Sequence, residues 1–174
     1  MAVIRVVRNK RQSKNYMKSL IVKIWENPDA IYRWNCGCPG GSVTGIVDAF
    51  AMVHRAYASL AIPVQCFQLV LEPGISIEVA QQFVTNVVQY LGTKYQTIAV
   101  LSYNAESILE ATFVVNSVSY KDGRVFYDNN QTYIQLTNVF ETLSRQQWSF
   151  ETADSVFFNN QDDENRYRDI GEYI

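Results

Sequence analysis

Histidine is almost missing: the 174 residues contain one, His54. A three-imidazole metal centre therefore cannot be built within one subunit. Cysteine is scarce and odd in number, at Cys36, Cys38 and Cys66. The Cys36-x-Cys38 spacing is wrong for a zinc knuckle and has no second pair to complete it, so the three read as reduced structural thiols. No apolar run approaches the roughly 18 residues of a membrane span. The first residues alternate like a strand and continue as RNKRQSK, without the charge, apolar core and small-residue order of a secretory signal, so the expected location is cytoplasmic. Repeats and low-complexity tracts are absent. Gly40-Gly41 has neither the strand-to-helix setting nor the Lys-Ser/Thr ending of a phosphate loop.

Hydrophobic residues make up 48% of the chain, enough at this length for one well-buried domain, expected over 1–158 with an acidic tail at 159–174. A net charge of −2 hides a polarity along the sequence. Residues 1–34 hold eight Lys/Arg against Glu26 and Asp29, and residues 150–174 hold seven Asp/Glu against Arg166 and Arg168. A basic arm of this kind suits phosphate through counterion release. Its plainer alternative is a solvated face paired with the acidic tail.

Periodicity predicts a strand over 2–8, a basic loop over 9–14 with Ser13 as helix cap, and a first helix on Met17, Leu20, Ile21 and Ile24. Residues 29–43 read as a loop. A second helix follows on Ile46, Val47, Phe50, Val53 and Tyr57, with His54 as a boundary residue satisfied by a partner. Next come a strand over 63–72, a third helix over 77–91 and a strand over 95–103. The segment 106–120 alternates, with Leu109, Ala111, Phe113, Val115 and Ser117 on a core face and Glu110, Thr112, Val114, Asn116 and Val118 on a mixed one. Asp122-Gly123 predicts a type I′ turn returning as a strand over 124–128. A fourth helix over 133–144 and a last strand over 148–158 complete an α+β domain, a mainly antiparallel sheet of about five strands with helices on one face.

FVVNSVSYKDGRVF (residues 113–126) resembles the segment that follows the metal-binding histidine cluster in relaxases, the mobilisation nucleases of Gram-positive conjugative elements. MAVIRVVRNK, Glu26-Asn27-Pro28, Asn35-Cys36 and Leu71-Glu72-Pro73-Gly74 resemble further pieces of that family, in its order and at about its spacing, over roughly residues 1–150. The resemblance implies a relaxase-like fold, a divalent metal held by histidines and an N-terminal tyrosine nucleophile. Those residues are missing here. Glu110 and Thr112 stand where the resemblance puts a His-x-His pair relative to Asn116, Ile108 where a further histidine sits, Ser102 or Tyr103 near an upstream one, and Ile24 about where the tyrosine belongs. The expectation is a catalytically degenerate homologue without cofactor.

The expected partner is single-stranded or duplex DNA, met by Arg5, Arg8, Lys10, Arg11, Lys14 and Lys18, with Tyr16, Tyr32 and Trp34 as stacking platforms and Tyr103 and Tyr120 nearby. One alternative is a protein-interaction scaffold that binds itself or other relaxosome proteins. Another is a divergent nicking enzyme using a hard cation on Glu110, Asp122 or Glu106, with Tyr16 or Tyr32 as nucleophile.

Overall fold

The computed structural model describes residues 1–8 and 15–154. Its elements are β1 (Ala2–Arg8), α1 (Tyr16–Trp25), β2 (Tyr32–Cys36), α2 (Val43–Ala56), β3 (Val64–Val70), α3 (Ile77–Gly92), β4 (Thr97–Tyr103), β5 (Leu109–Asn116), α4 (Asn130–Ser144) and β6 (Trp148–Asp154). The strands form one six-stranded sheet in the order β2-β4-β5-β3-β1-β6. Every neighbouring pair is antiparallel except β1 and β6, which run parallel from Ala2↔Trp148 to Arg8↔Asp154.

Helices cover both faces of this sheet, which corrects the one-sided packing expected from sequence. Leu109, Ala111, Phe113 and Val115 of β5 join Ile4, Val6, Phe67, Leu69, Ala99 and Leu101 beneath α3 and α4. Val114 turns the other way and packs with Val7, Val64, Cys66, Ile98 and Val100 under α1 and α2. All eight residues of β5 are buried. Period-2 alternation correctly separates the two faces, but a polar residue on the second face is no sign that the face is open.

Helix boundaries follow local chemistry. Ser42, Ser76 and Asn129 accept hydrogen bonds from the amides of Gly45, Val79 and Thr132, capping α2, α3 and α4. α1 starts after Asn15, which makes no side-chain cap, and Ser13 lies outside the described residues. The far end of α1 is held from another element: the Arg33 guanidinium donates to the Trp25 and Asn27 carbonyls, each at 2.7 Å. The Trp25 carbonyl is among the acceptors that a helix end leaves without intrahelical partners.

Two local expectations fail. Residues 32–36, read as loop, form the strand β2, whose only strand partner among the described residues is β4. The expected strand over 124–128 reduces to a single bridge, Val118↔Val125. Of Asp122-Gly123 only Gly123 has positive φ, at 71°, so the turn is not type I′. Ser119 organises it instead, its Oγ accepting from the Lys121 and Asp122 amides and its amide donating to the Arg124 carbonyl. The final strand is described as far as Asp154, and the remainder of the expected 148–158 strand and the 159–174 tail lie outside the described residues.

Candidate functional site

The face of the sheet toward α1 and α2 is apolar beneath the helices and polar at the end they leave. Strand register lines up Glu151 (β6), Arg5 (β1), Gln68 (β3) and Thr112 (β5) in one row across four strands. Glu110 stands two residues along β5 from Thr112, opposite Ser102 of β4. Arg5 bridges the row: its Nε donates to Glu151 Oε1 at 2.9 Å and its Nη1 lies 3.7 Å from Glu110 Oε2. Gln68 Nε2 donates to the other Glu110 oxygen at 2.6 Å.

The Glu110 side chain is 11% exposed. Burial raises its carboxyl above the usual carboxylate range, and the Arg5 charge and the Gln68 hydrogen bond pull it down without cancelling that. Beside it, burial and then the Glu110 charge push the Cys66 thiol up. Burial and neighbouring Cys36 likewise push Cys38 up to about 12. Thiols shifted this way carry almost no thiolate at neutral pH and are poor nucleophiles and metal ligands.

A groove of about 490 Å³ opens between the end of α1 and this part of the sheet, with Ile24, Pro28 and Val100 as apolar walls and Lys23, Ser102 and Thr112 as polar ones. Ile24 and Thr112, which the sequence resemblance places at site positions, therefore line one cavity, and Glu110 is the strand partner of Ser102 in its wall. Asn116 does not join them. It is fully buried at the other end of β5, donating to the Phe50 carbonyl at 3.2 Å and to Gln96 Oε1 at 2.8 Å while its own oxygen receives the Val118 amide at 3.2 Å. Its role is to tie β5 to α2 and to the start of β4. Ile108 is half-buried in the loop before β5, where its amide donates to Asn104.

The expected nucleic-acid residues do not form one surface. Arg5 is engaged by two carboxylates. Tyr16, expected as a stacking platform, is 1% exposed in the α1–α2 core, because it starts the apolar stripe of α1. Trp34 faces the opposite side of the sheet, its indole donating to Thr85 of α3 at 3.0 Å. Tyr32, 39% exposed, lies on that side too, 6.0 Å from Trp34. Lys18 is half-buried on α1. Arg8 ends β1, and Lys10, Arg11 and Lys14 lie outside the described residues. His54 donates from Nε2 to the Pro63 carbonyl, 3.0 Å away, as a boundary histidine. Sequence reasoning missed the Arg5–Gln68–Glu151 company of Glu110. The one available signal was that all four occupy the same alternation phase on their strands, and this is useless until strand order is known.

Among the described residues, no group of three His, Cys, Asp or Glu side chains is placed to hold a metal ion, and no helix is long and apolar enough to cross a membrane. No family model, curated protein or solved structure matches the chain.

Proposed function

We propose that the protein is a cytoplasmic, relaxase-like nucleic-acid-binding protein that acts without nicking, as an accessory of a mobile element. The observation that carries the reading is the occupation of Glu110. On the strand position that the relaxase resemblance assigns to a metal-ligand histidine stands a carboxylate already satisfied by Arg5 and Gln68. A buried carboxylate so engaged, with no imidazole beside it, is a poor substitute for a histidine metal ligand. Charge supports DNA as the partner: the basic residues of 1–34 concentrate at the β1–α1 connection. With Arg5 engaged by carboxylates, the phosphate-contacting set reduces to Arg8, Lys10, Arg11 and Lys14, joined by Lys18.

The parallel register of β1 and β6 supports a further element of the reading. Arg8 and Asp154 are partners across neighbouring strands, so the basic connection and the acidic C-terminal stretch start side by side. That stretch competes with DNA for the basic residues. Titration of labelled single-stranded and duplex oligonucleotides at several salt concentrations tests the reading. About four phosphate contacts give a log K against log salt slope near −3 on a single strand, each removed contact reduces it by about 0.7, and Arg5→Gln leaves it unchanged. Deleting residues 160–174 tightens binding. Absence of binding at low salt for both forms refutes the proposal in favour of a scaffold that binds itself or another protein, and a metal-dependent covalent adduct refutes its non-catalytic part.

A further inference from the structure

On the other face of the molecule a second groove, about 240 Å³, runs between the end of α3, the 125–127 segment and the start of α4. Its walls are aromatic. Tyr90, Tyr95, Phe126 and Tyr127 line it, and Phe126 and Tyr95 meet edge to face at 5.4 Å. Phe126 is buried and fixes the floor, whereas Tyr90 and Tyr127 are 46% and 65% exposed at the rim. An aromatic ring that open to water contributes little to the core, so folding does not explain why two stand there.

A cation, Lys94, stands in the same groove. The Tyr120 amide donates to the Lys94 carbonyl at 3.1 Å, which sets the 119–124 loop against the α3–β4 connection. The loop is held firmly. Tyr120 donates its hydroxyl to the Gly92 carbonyl at 2.7 Å, and Tyr57 packs on Gly123 so closely that a Cβ there would lie 2.4 Å from the ring. Arg124 leans on Asp122 at 3.4 Å, and Asp128 follows Tyr127 in the chain. Lys94 is exposed and lines the groove beside the tyrosines with Asp122 as a charged neighbour, and Lys121 is exposed on the loop next to Tyr120.

We infer that this groove takes an unpaired base of a single-stranded nucleic acid, stacked on Tyr90 and Tyr127, with Lys94 and Lys121 meeting the adjoining phosphates. Lys94 in the wall excludes a quaternary ammonium, the other usual guest of clustered tyrosines, through like charge. A duplex hides the base faces that the rings need, so the site selects single strands. The inference rests on the nucleic-acid reading but places base contact on the α3–α4 face, away from Glu110.

Anisotropy of a labelled oligo-dT of about fifteen nucleotides on the full chain, with tyrosine fluorescence read in parallel, tests it. Tyr127→Ala and Tyr90→Ala each weaken binding about tenfold, Tyr127→Phe keeps it within about twofold, and tyrosine emission is quenched on saturation. Lys94→Gln lowers the salt slope by about 0.7. Both tyrosines stand at the rim, so their truncation leaves the fold intact. Binding that is unaltered in both alanine variants overturns the base site while the proposed function stands. Equal affinity for duplex and single strand overturns it in the same way. If the unmodified chain binds no oligonucleotide at low salt, the site and the proposed function fall together.

Discussion

Phe113→Ala tests the central packing directly. Phe113 is fully buried at the middle of β5, between Phe67 of β3 and Ala99 of β4, and stacks on Phe67 at 5.1 Å with an 8° tilt. Losing the ring forfeits about 2–3 kcal/mol of apolar burial. The flanking strands are fixed by their ladders and the β4 neighbour is an alanine, so the space closes poorly. A residual cavity of roughly 60 Å³ at about 24 cal/mol per Å³ adds about 1.5 kcal/mol. The total, about 4 kcal/mol, corresponds to a Tm lowered by about 8–16 °C for a chain of this size. Urea unfolding followed by circular dichroism should show the midpoint moving at unchanged slope. A loss under about 1 kcal/mol would mean that Phe113 does not sit between the sheet and α3, and would refute the assignment of faces.

Glu110→Gln probes the polar end of the sheet through pH. The folded protein raises this carboxyl above its unfolded value, so the stability it contributes is complete below the ordinary glutamate pKa, about 4.3, and is lost as pH rises through the raised value. Relative to the unmodified chain, Glu110→Gln should therefore gain stability as pH rises above about 4.3 in paired urea titrations; an unchanged or falling difference counts against the burial of this group. Gly92→Ala replaces a helix glycine with the best helix former, yet a Cβ at 92 would lie 2.3 Å from Cys36 Sγ. Thermal melts should show a net loss of about 1–3 kcal/mol, largely recovered by adding Cys36→Ala, and a stabilised single variant would disprove the close approach of α3 and β2.

Elements with a strong internal period were legible in the sequence. The stripe Ala80, Phe83, Val84, Val87, Val88 and Leu91 specifies α3 and the face it buries, because a helix closes its hydrogen bonds locally and its apolar positions recur at short range. The alternation of residues 109–118 likewise separated the two faces of β5 before any partner was known. β2 was not legible. Tyr32–Cys36 is a half-exposed edge that becomes a strand only because β4 offers it a ladder, and propensity cannot anticipate a partner sixty residues away. The single bridge flanking the turn at Ser119, Val118 to Val125, has the same cause in reverse, since the side chain of Ser119 outcompetes the local preference of Asp122-Gly123. For the candidate sites the division is sharper. That the chain has too few histidines for an imidazole metal centre, and that its charge is polarised along its length, follow from composition alone. That Glu110 is held by Arg5 and Gln68, that Tyr16 is core, that Trp34 lies across the sheet from Arg5, and that Tyr90, Lys94 and Tyr127 line one groove follow only from strand order and register. Those are set by long-range pairing energies which no local window of sequence contains.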